Sequence, residues 1–242
     1  MEEKSKCKCT GKSALCAGIA VMIGLIALGA FIASGLKSIA DKDQFVTVKG
    51  LAERQVMANK VTWPIPYYCV SNDIQELYNE LDKSSEKIVK FLKENGITDE
   101  EIILSAPSIT DRLAQSYTPE NVTYRYQGRD VVTVSSSKVE KVIELIKQQT
   151  SLMKQGVSIG AEYSYGNNVS FEYTGLNKIK PEMIEEATRN ARAVAQKFAN
   201  DSESELGGIK NAYQGQFSIT SDETTPQIKN IRVVTTIDYS LK

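Results

Sequence analysis

Twenty-four consecutive residues, 13–36, carry no charge and are bounded by Lys12 and Lys37. As a helix rising about 1.5 Å per residue, such a run reaches roughly 36 Å, enough to cross a hydrocarbon core of about 30 Å with some tilt. The run therefore predicts a transmembrane helix, and the rest of the chain has to fold as a head outside it. Lys4, Lys6, Lys8 and Lys12 precede the run, whereas only Lys37 and Lys42 follow closely. That bias predicts a cytoplasmic amino terminus and a head on the far side. A cleavable signal peptide is the competing reading, because Ala33-Ser34-Gly35 and Ser38-Ile39-Ala40 offer small residues at cleavage spacing. The run exceeds the roughly 7–15 apolar residues of such signals, which favours an uncleaved anchor. The expected organisation is a cytoplasmic tail (1–12), a transmembrane helix (13–36), a linker (37–44) and a periplasmic head (45–242). Gly18, Gly24, Gly29 and Gly35 would also let two such helices approach closely.

Near two hundred residues remain for the head, enough for one ordinary domain or two small ones. The formal net charge is −1, and residues 1–40 hold five Lys and two Glu, which leaves 24 basic against 28 acidic residues beyond them. A mildly acidic head without clustered Lys and Arg argues against nucleic acid as a partner. Histidine is absent, which removes the commonest general base and the commonest metal ligand together. No cofactor is expected. Of the four cysteines, Cys7, Cys9 and Cys16 fall before or within the apolar run, so Cys69 stands alone outside. It is expected to pack as a small hydrophobe rather than bond within the chain.

Beyond residue 44 the pattern changes to short alternating segments. Residues 45–49 read as a strand followed by a bend or bulge at Gly50. Over 55–70, Val61, Trp63, Ile65, Tyr67 and Cys69 recur at period two, as a half-buried strand requires. Pro64 and Pro66 remove two backbone donors, so this strand needs a free edge or an irregular neighbour. Its aromatic face, Trp63, Ile65, Tyr67 and Tyr68, is a candidate contact between subunits; the alternative is that Trp63 anchors the core of one chain. A helix is expected up to Glu94, capped by Ser71 or Asn72, striped by Ile74, Leu77, Tyr78, Leu81, Ile88, Phe91 and Leu92, and stopped by Asn95-Gly96. Then come a strand over 102–109, a turn over 117–120, a strand over 122–135 interrupted at Gln127-Gly128, and a helix over 139–149 capped by Ser137. Residues 157–165 and 169–173 read as a hairpin around Gly166-Asn167-Asn168. The longest helix of the head is expected over 177–205, with Pro181 near its first turn, a stripe of Ile184, Ala187, Ala191, Val194, Ala195 and Phe198, and Gly207-Gly208 as its stop. Strands over 209–220 and 231–241 close the chain. This order predicts an α+β fold, mostly antiparallel sheet with helices packed on one face.

Several of these segments also form a familiar series. FVTVKGLAER from Phe45, FLKENGITDEEI from Phe91, PEMIEEATRNARAVAQKFA from Pro181, LGGIKNAYQG from Leu206 and the terminal RVVTTIDYSL are involved. Together they resemble the SIMPL-domain family of bacterial envelope proteins over about 45–241. The resemblance implies an α+β domain in the periplasm or at the cell surface that assembles into ring- or cage-like homo-oligomers, with a loose association with oxidative or envelope stress. It brings no established catalytic residues. Where many members carry Pro-Asp after the first glycine turn, this chain has Asn59-Lys60 ahead of Trp63-Pro64-Ile65-Pro66.

Chemistry-bearing patterns are sparse. Asp99-Glu100-Glu101 is three consecutive acids before a strand and reads as a solvated turn rather than a cation site. Ser135 and Lys138 have Ser-x-x-Lys spacing, which helix capping explains better than nucleophilic catalysis. Arg189 and Arg192, three apart on the long helix, form a candidate polar face able to clamp a carboxylate or phosphate, with ion pairs to Glu185 and Glu186 as the default. The expectation is a non-enzymatic, bacterial inner-membrane protein, single-pass through 13–36, whose head binds copies of itself in a scaffolding role. A ligand-binding or chaperone-like module is the alternative, and a hydrolase ranks below both.

Overall fold

The computed structural model describes residues 11–42, 44–114, 122–160 and 168–242. The expected turn over 117–120, residues 161–167 of the hairpin expected over 157–173, and Cys7 and Cys9 lie outside them. Helix α1 spans Gly11–Lys42. Its window Gly18–Gly35 is apolar and long enough to cross a membrane, and none of it is buried. The helix therefore continues through most of the stretch expected to be a linker, because residues 37–42 contain neither Pro nor Gly to stop it.

The head is α+β. Strands β1 (Phe45–Met57), β7 (Leu206–Gln214), β8 (Ser218–Ser221) and β9 (Ile228–Leu241) form one sheet, in the order β1-β9-β7 with β8 also on β9. Strands β2 (Lys60–Ser71), β3 (Ile102–Leu104), β4 (Ser108–Asp111), β5 (Tyr126–Ser136) and β6 (Ser170–Glu172) form the other, in the order β3-β5-β2-β6 with β4 also on β5. The helices are α2 (Ile74–Glu94), α3 (Val139–Gln148), α4 (Thr150–Lys154) and α5 (Leu176–Asp201). The chain divides into two compact units. One takes Met1–Ala52, Ile184–Gln216 and Val233–Lys242; the other takes Glu53–Met183 and Phe217–Arg232.

In the second unit, β2 pairs with β5 along its whole length, antiparallel, from Val61 opposite Ser136 to Ser71 opposite Tyr126. Helix α2 is capped by Asp73, whose carboxylate accepts from the amides of Gln75 and Glu76. It lays Leu77, Leu81, Ile88, Phe91 and Leu92 on the sheet, and with α3 and α4 it closes a single core around Trp63, Ile65 and Val132. The expected stripe holds except at its first turn, where Ile74 and Tyr78 are exposed. Gly128 does not interrupt β5. A Cβ there would come within 2.7 Å of Leu81 Cδ1, so the glycine lets the helix sit close. The expected strand over 102–109 breaks at 105–107 into β3 and β4, both antiparallel to β5.

The two prolines of β2 are placed where their missing donors cost no ladder bond. The Pro66 carbonyl accepts from Gly160, and the Tyr68 amide donates to Ser158. Even-numbered residues here therefore point away from β5, and the nitrogens of Pro64 and Pro66 point the same way. On that side β6 pairs only with residues 60–62, so the neighbouring edge is irregular, as the prolines require.

The first unit is built on smaller side chains. Its buried cluster is Val48, Ala191, Ala195, Ile237 and Tyr239, with Val46 and Leu206 against it. Helix α5 buries one row at spacing four, Met183, Ala187, Ala191, Ala195 and Ala199, whereas the expected Val194 and Phe198 face outward. Gly50 is continuous strand rather than a bend. A Cβ on it would fall 1.8 Å from the Ala187 carbonyl oxygen, which makes it the contact that seats the alanine row on β1. Helix α5 starts at Leu176, which sets Pro181 inside it rather than in its first turn. It ends at Asp201, with Glu203 adopting a positive φ of 53° that glycine more often takes. Gly207 and Gly208 instead belong to β7, where the register with β9 shifts between Leu206 and Ile209.

Candidate functional site

The aromatic strand expected to meet another subunit faces the interior instead. Trp63, Ile65 and Tyr67 are 2%, 1% and 0% exposed, so they are core residues of the second unit and offer no surface to a partner. The period-two row was legible; its destination is set by α2, α3 and α4, which cover that face of the sheet. Tyr68 lies on the opposite face, half-buried, its ring against Gly160 and beneath the Arg129 guanidinium at 5.8 Å. Cys69 is also half-buried, packed at the edge of the core with its Sγ 3.8 Å from Ser84 Oγ. Burial raises its pKa, against the pull of the Ser84 hydrogen bond, and holds it as a thiol.

Along the core-facing row the cross-strand pairs change character. Trp63 lies opposite Val134 and Ile65 opposite Val132, then Tyr67 lies opposite Asp130 and Cys69 opposite Gly128. The buried Tyr67 hydroxyl donates to Asp130 Oδ2 at 2.7 Å, and burial, followed by that bond, raises the phenol pKa and keeps its proton in place. The other carboxylate oxygen accepts from the Val131 amide at 2.7 Å. Here the sheet opens onto a cavity of about 300 Å³, lined by Asp130, Tyr67, Asp82 and Ser85, with Leu104 from the end of β3 and Pro107 from the β3–β4 connection. The sequence signal for it was present: Gly128, Asp130, Val132 and Val134 share one face of β5, and a carboxylate interrupts an apolar row. Placing an interruption at Gly128 hid that register.

The other chemical patterns resolve into structural links. Thr98 and Glu101 form a reciprocal cap, with the Glu101 carboxylate accepting from the Thr98 amide at 2.9 Å. Ser136 donates to Glu101 Oε1 at 2.6 Å, and the Lys138 ammonium to Oε2 at 2.9 Å and to the Gly96 carbonyl at 3.1 Å. Burial works against the Glu101 charge, but these hydrogen bonds outweigh it and bring the pKa down from 4.5 to about 2. Lys138 is thus held by Glu101 and Gly96 beside Ser136, not Ser135. Helix α3 has Lys138 at its cap position, and the expected Ser137 cap is not formed. Arg189 and Arg192 are both exposed, and neither makes the expected ion pair with Glu185 or Glu186. Among the described residues no group of three or more Cys, Asp or Glu is close enough to hold a metal.

In the first unit, β7 is an exposed edge strand. It ends the strand order of its sheet, and from Gly208 to Gln214 every residue is exposed, with Ile209 at 53% and Tyr213 at 66%. Residues 206–221 carry a single charge, Lys210, and no proline.

A model of the family described as SIMPL, protein of unknown function (DUF541), matches residues 46–233. The chain belongs to the SIMPL family. No curated protein matches it. The SIMPL match takes in β2, the Tyr67–Asp130 cavity, the Glu101 cap and β7, and it leaves α1 outside. By its length and composition, that helix fits a signal anchor or a single-pass segment.

Proposed function

We propose that this SIMPL chain is an envelope module of a bacterial inner membrane. In this reading α1 remains uncleaved as a single-pass anchor, the amino terminus is cytoplasmic, and the head lies in the periplasm, where copies associate in a scaffolding role. The lysines before the apolar run support the orientation. The observation that carries the association is the β7 edge. Exposed edges are ordinarily guarded by charge, proline or irregularity, because unpaired amides and carbonyls template another strand. Here the register shifts before Asn211 disturb the start of the strand, but Asn211–Gln214 pair regularly with β9 and present Tyr213 without a guarding charge. A second copy of the same edge, related by a two-fold axis, would extend the sheet antiparallel and cover Tyr213 on both sides.

This reading replaces the buried aromatic strand with β7 as the contact between copies. Labelling of intact cells and of opened cells with a membrane-impermeant maleimide tests the topology, using a Thr220→Cys variant with the parent chain as the blank. The expected result is labelling of the introduced thiol in intact cells with a permeable outer layer, together with retention of the chain in the membrane after alkaline extraction. Labelling only after the inner membrane is broken, or release of the chain by alkali, overturns the anchored-head reading.

A further inference from the structure

We infer that two copies of this chain pair about Tyr213 in a single register, with Tyr213 of one copy opposite Tyr213 of the other, and that this register holds their α1 helices apart. The inference rests on the β7 association proposed above and fixes its geometry. Along the regular run of β7, Asn211 lies opposite Asp238, Tyr213 opposite Thr236 and Gln214 opposite Thr235. The Gly215 amide donates to the Val234 carbonyl at 2.8 Å and continues the same register. In an antiparallel ladder, residues that exchange bonds with one neighbour alternate with residues that point away from it. Asn211, Tyr213 and Gly215 therefore bond to β9, and the amides and carbonyls of Ala212 and Gln214 point outward from the end of the strand order.

A second copy of the edge is met outward group to outward group, so the two-fold axis passes through a residue rather than between two. With the axis at Tyr213, Ala212 of each copy exchanges both its bonds with Gln214 of the other, and every bond falls in the regular run. With the axis at Ala212 or Gln214, only the self-paired residue bonds within that run, and the rest rely on Lys210 or Gln216 beyond it. The Tyr213 axis also sets Lys210 opposite Gln216 and keeps the two lysines apart. At the axis the Tyr213 residues form a non-hydrogen-bonded pair, Cα atoms about 4.5 Å apart and both rings on one face.

The same register places the anchors. Leu206 lies opposite Leu241, whose amide donates to the Gln44 carbonyl at 3.1 Å, and α1 ends at Lys42. The start of β7 is therefore beside the start of β1, where α1 joins the head. Antiparallel pairing about Tyr213 separates the two β7 starts by roughly 45 Å along the strands. Both anchors then enter one bilayer with the paired strands running along the membrane plane, and the two α1 ends do not meet.

Cysteine cross-linking of the full chain in detergent tests this, in a background with Cys7, Cys9 and Cys16 replaced by serine and with that background as the blank. Oxidation by copper phenanthroline is expected to link most of Tyr213→Cys into a disulfide dimer. Asn211→Cys, exposed on the same face of the same strand, is expected to stay unlinked, because its copies lie roughly 13 Å apart, beyond disulfide reach. Gln44→Cys is expected to stay unlinked by a short bismaleimide. Linkage of Asn211→Cys as readily as Tyr213→Cys, linkage only when those two variants are mixed, linkage of Gln44→Cys at dimer mass, or an assembled Tyr213→Cys that does not link would each overturn the register while leaving the association standing. A parent chain of single-chain mass by light scattering would overturn both.

Discussion

The two compact units of this chain solve the same problem, a helix seated on a sheet, with opposite materials. In the second unit α2 meets the sheet through Leu77, Leu81, Ile88 and Leu92 against Trp63, Ile65 and Val132, all fully or almost fully buried. In the first unit α5 meets its sheet through Ala187, Ala191 and Ala195 against Val48 and Ile237, and Gly50 brings backbone nearly to backbone. Large interlocking side chains tolerate small displacements but suffer when a bulky group is removed. An alanine row has little to lose by truncation and no room for addition. The unit rich in large side chains also places a half-buried carboxylate, Asp130, on the core-facing row of β5, and the unit poor in them carries the open edge. Burying few large side chains leaves more of them, such as Tyr213 and Phe198, at the surface.

The largest expected effect separates the two kinds of core. Trp63→Ala removes the largest side chain of the second unit's core and should cost about 3–5 kcal/mol, read by urea unfolding. Ala191→Gly in the first unit should cost only about 1 kcal/mol, mostly as helix propensity. Comparable losses at the two positions would break the contrast. The converse substitution reverses the ranking. Gly50→Val places a Cβ against the Ala187 carbonyl and should destabilise by about 3 kcal/mol or more, read by loss of amide-exchange protection in α5. Gly18→Val in α1, where a Cβ meets nothing within 4 Å, should leave the head unchanged.

How far the sequence anticipated this contrast depends on the length scale of each cue. Periodicity reported that Trp63, Ile65 and Tyr67 share one face, though not that this face is the core of one chain rather than a contact between copies, and the spacing in α2 reported its core face, because both cues are local. It did not report which of two adjacent rows α5 would bury. Val194 and Phe198 outrank alanine in hydrophobicity, but close approach at Gly50 admits only the alanine row, and that constraint joins residues 137 positions apart. The same holds for glycines. A bend or bulge was expected at Gly50 and a break at Gly128, whereas each marks a nearby helix side chain or backbone. The cavity was half legible: Asp130 was visible as a charge in an apolar row only once the register of β5 across Gly128 was known. The apolar helix α1 was legible throughout, since twenty-four uncharged residues need no tertiary context.

A smaller effect sharpens the account of the second unit's polar link. The folded-state pKa of Glu101 is depressed, so the stability it supplies is fully present above its unfolded value near 4.5 and is lost as pH falls toward about 2. Glu101→Gln should therefore lower stability on the order of 2 kcal/mol at neutral pH and flatten the pH dependence of unfolding between those limits. An unchanged acid limb in the variant would show that Ser136 and Lys138 do not act through this carboxylate. The smallest effect on folding belongs to the first unit's edge. Tyr213→Lys, at an exposed position, should change stability by no more than about 0.5 kcal/mol while placing a guarding charge on β7.

That variant also supplies the most direct test of the central claim, that membrane-anchored heads join through the β7 edge. Light scattering of the detergent-solubilised full chain, corrected for bound detergent, gives the protein mass of the complex. The account predicts a multiple of the single-chain mass for the parent and a shift to the single-chain mass for Tyr213→Lys. A parent protein of single-chain mass at micromolar concentration, or an assembly that Tyr213→Lys leaves intact, would contradict it.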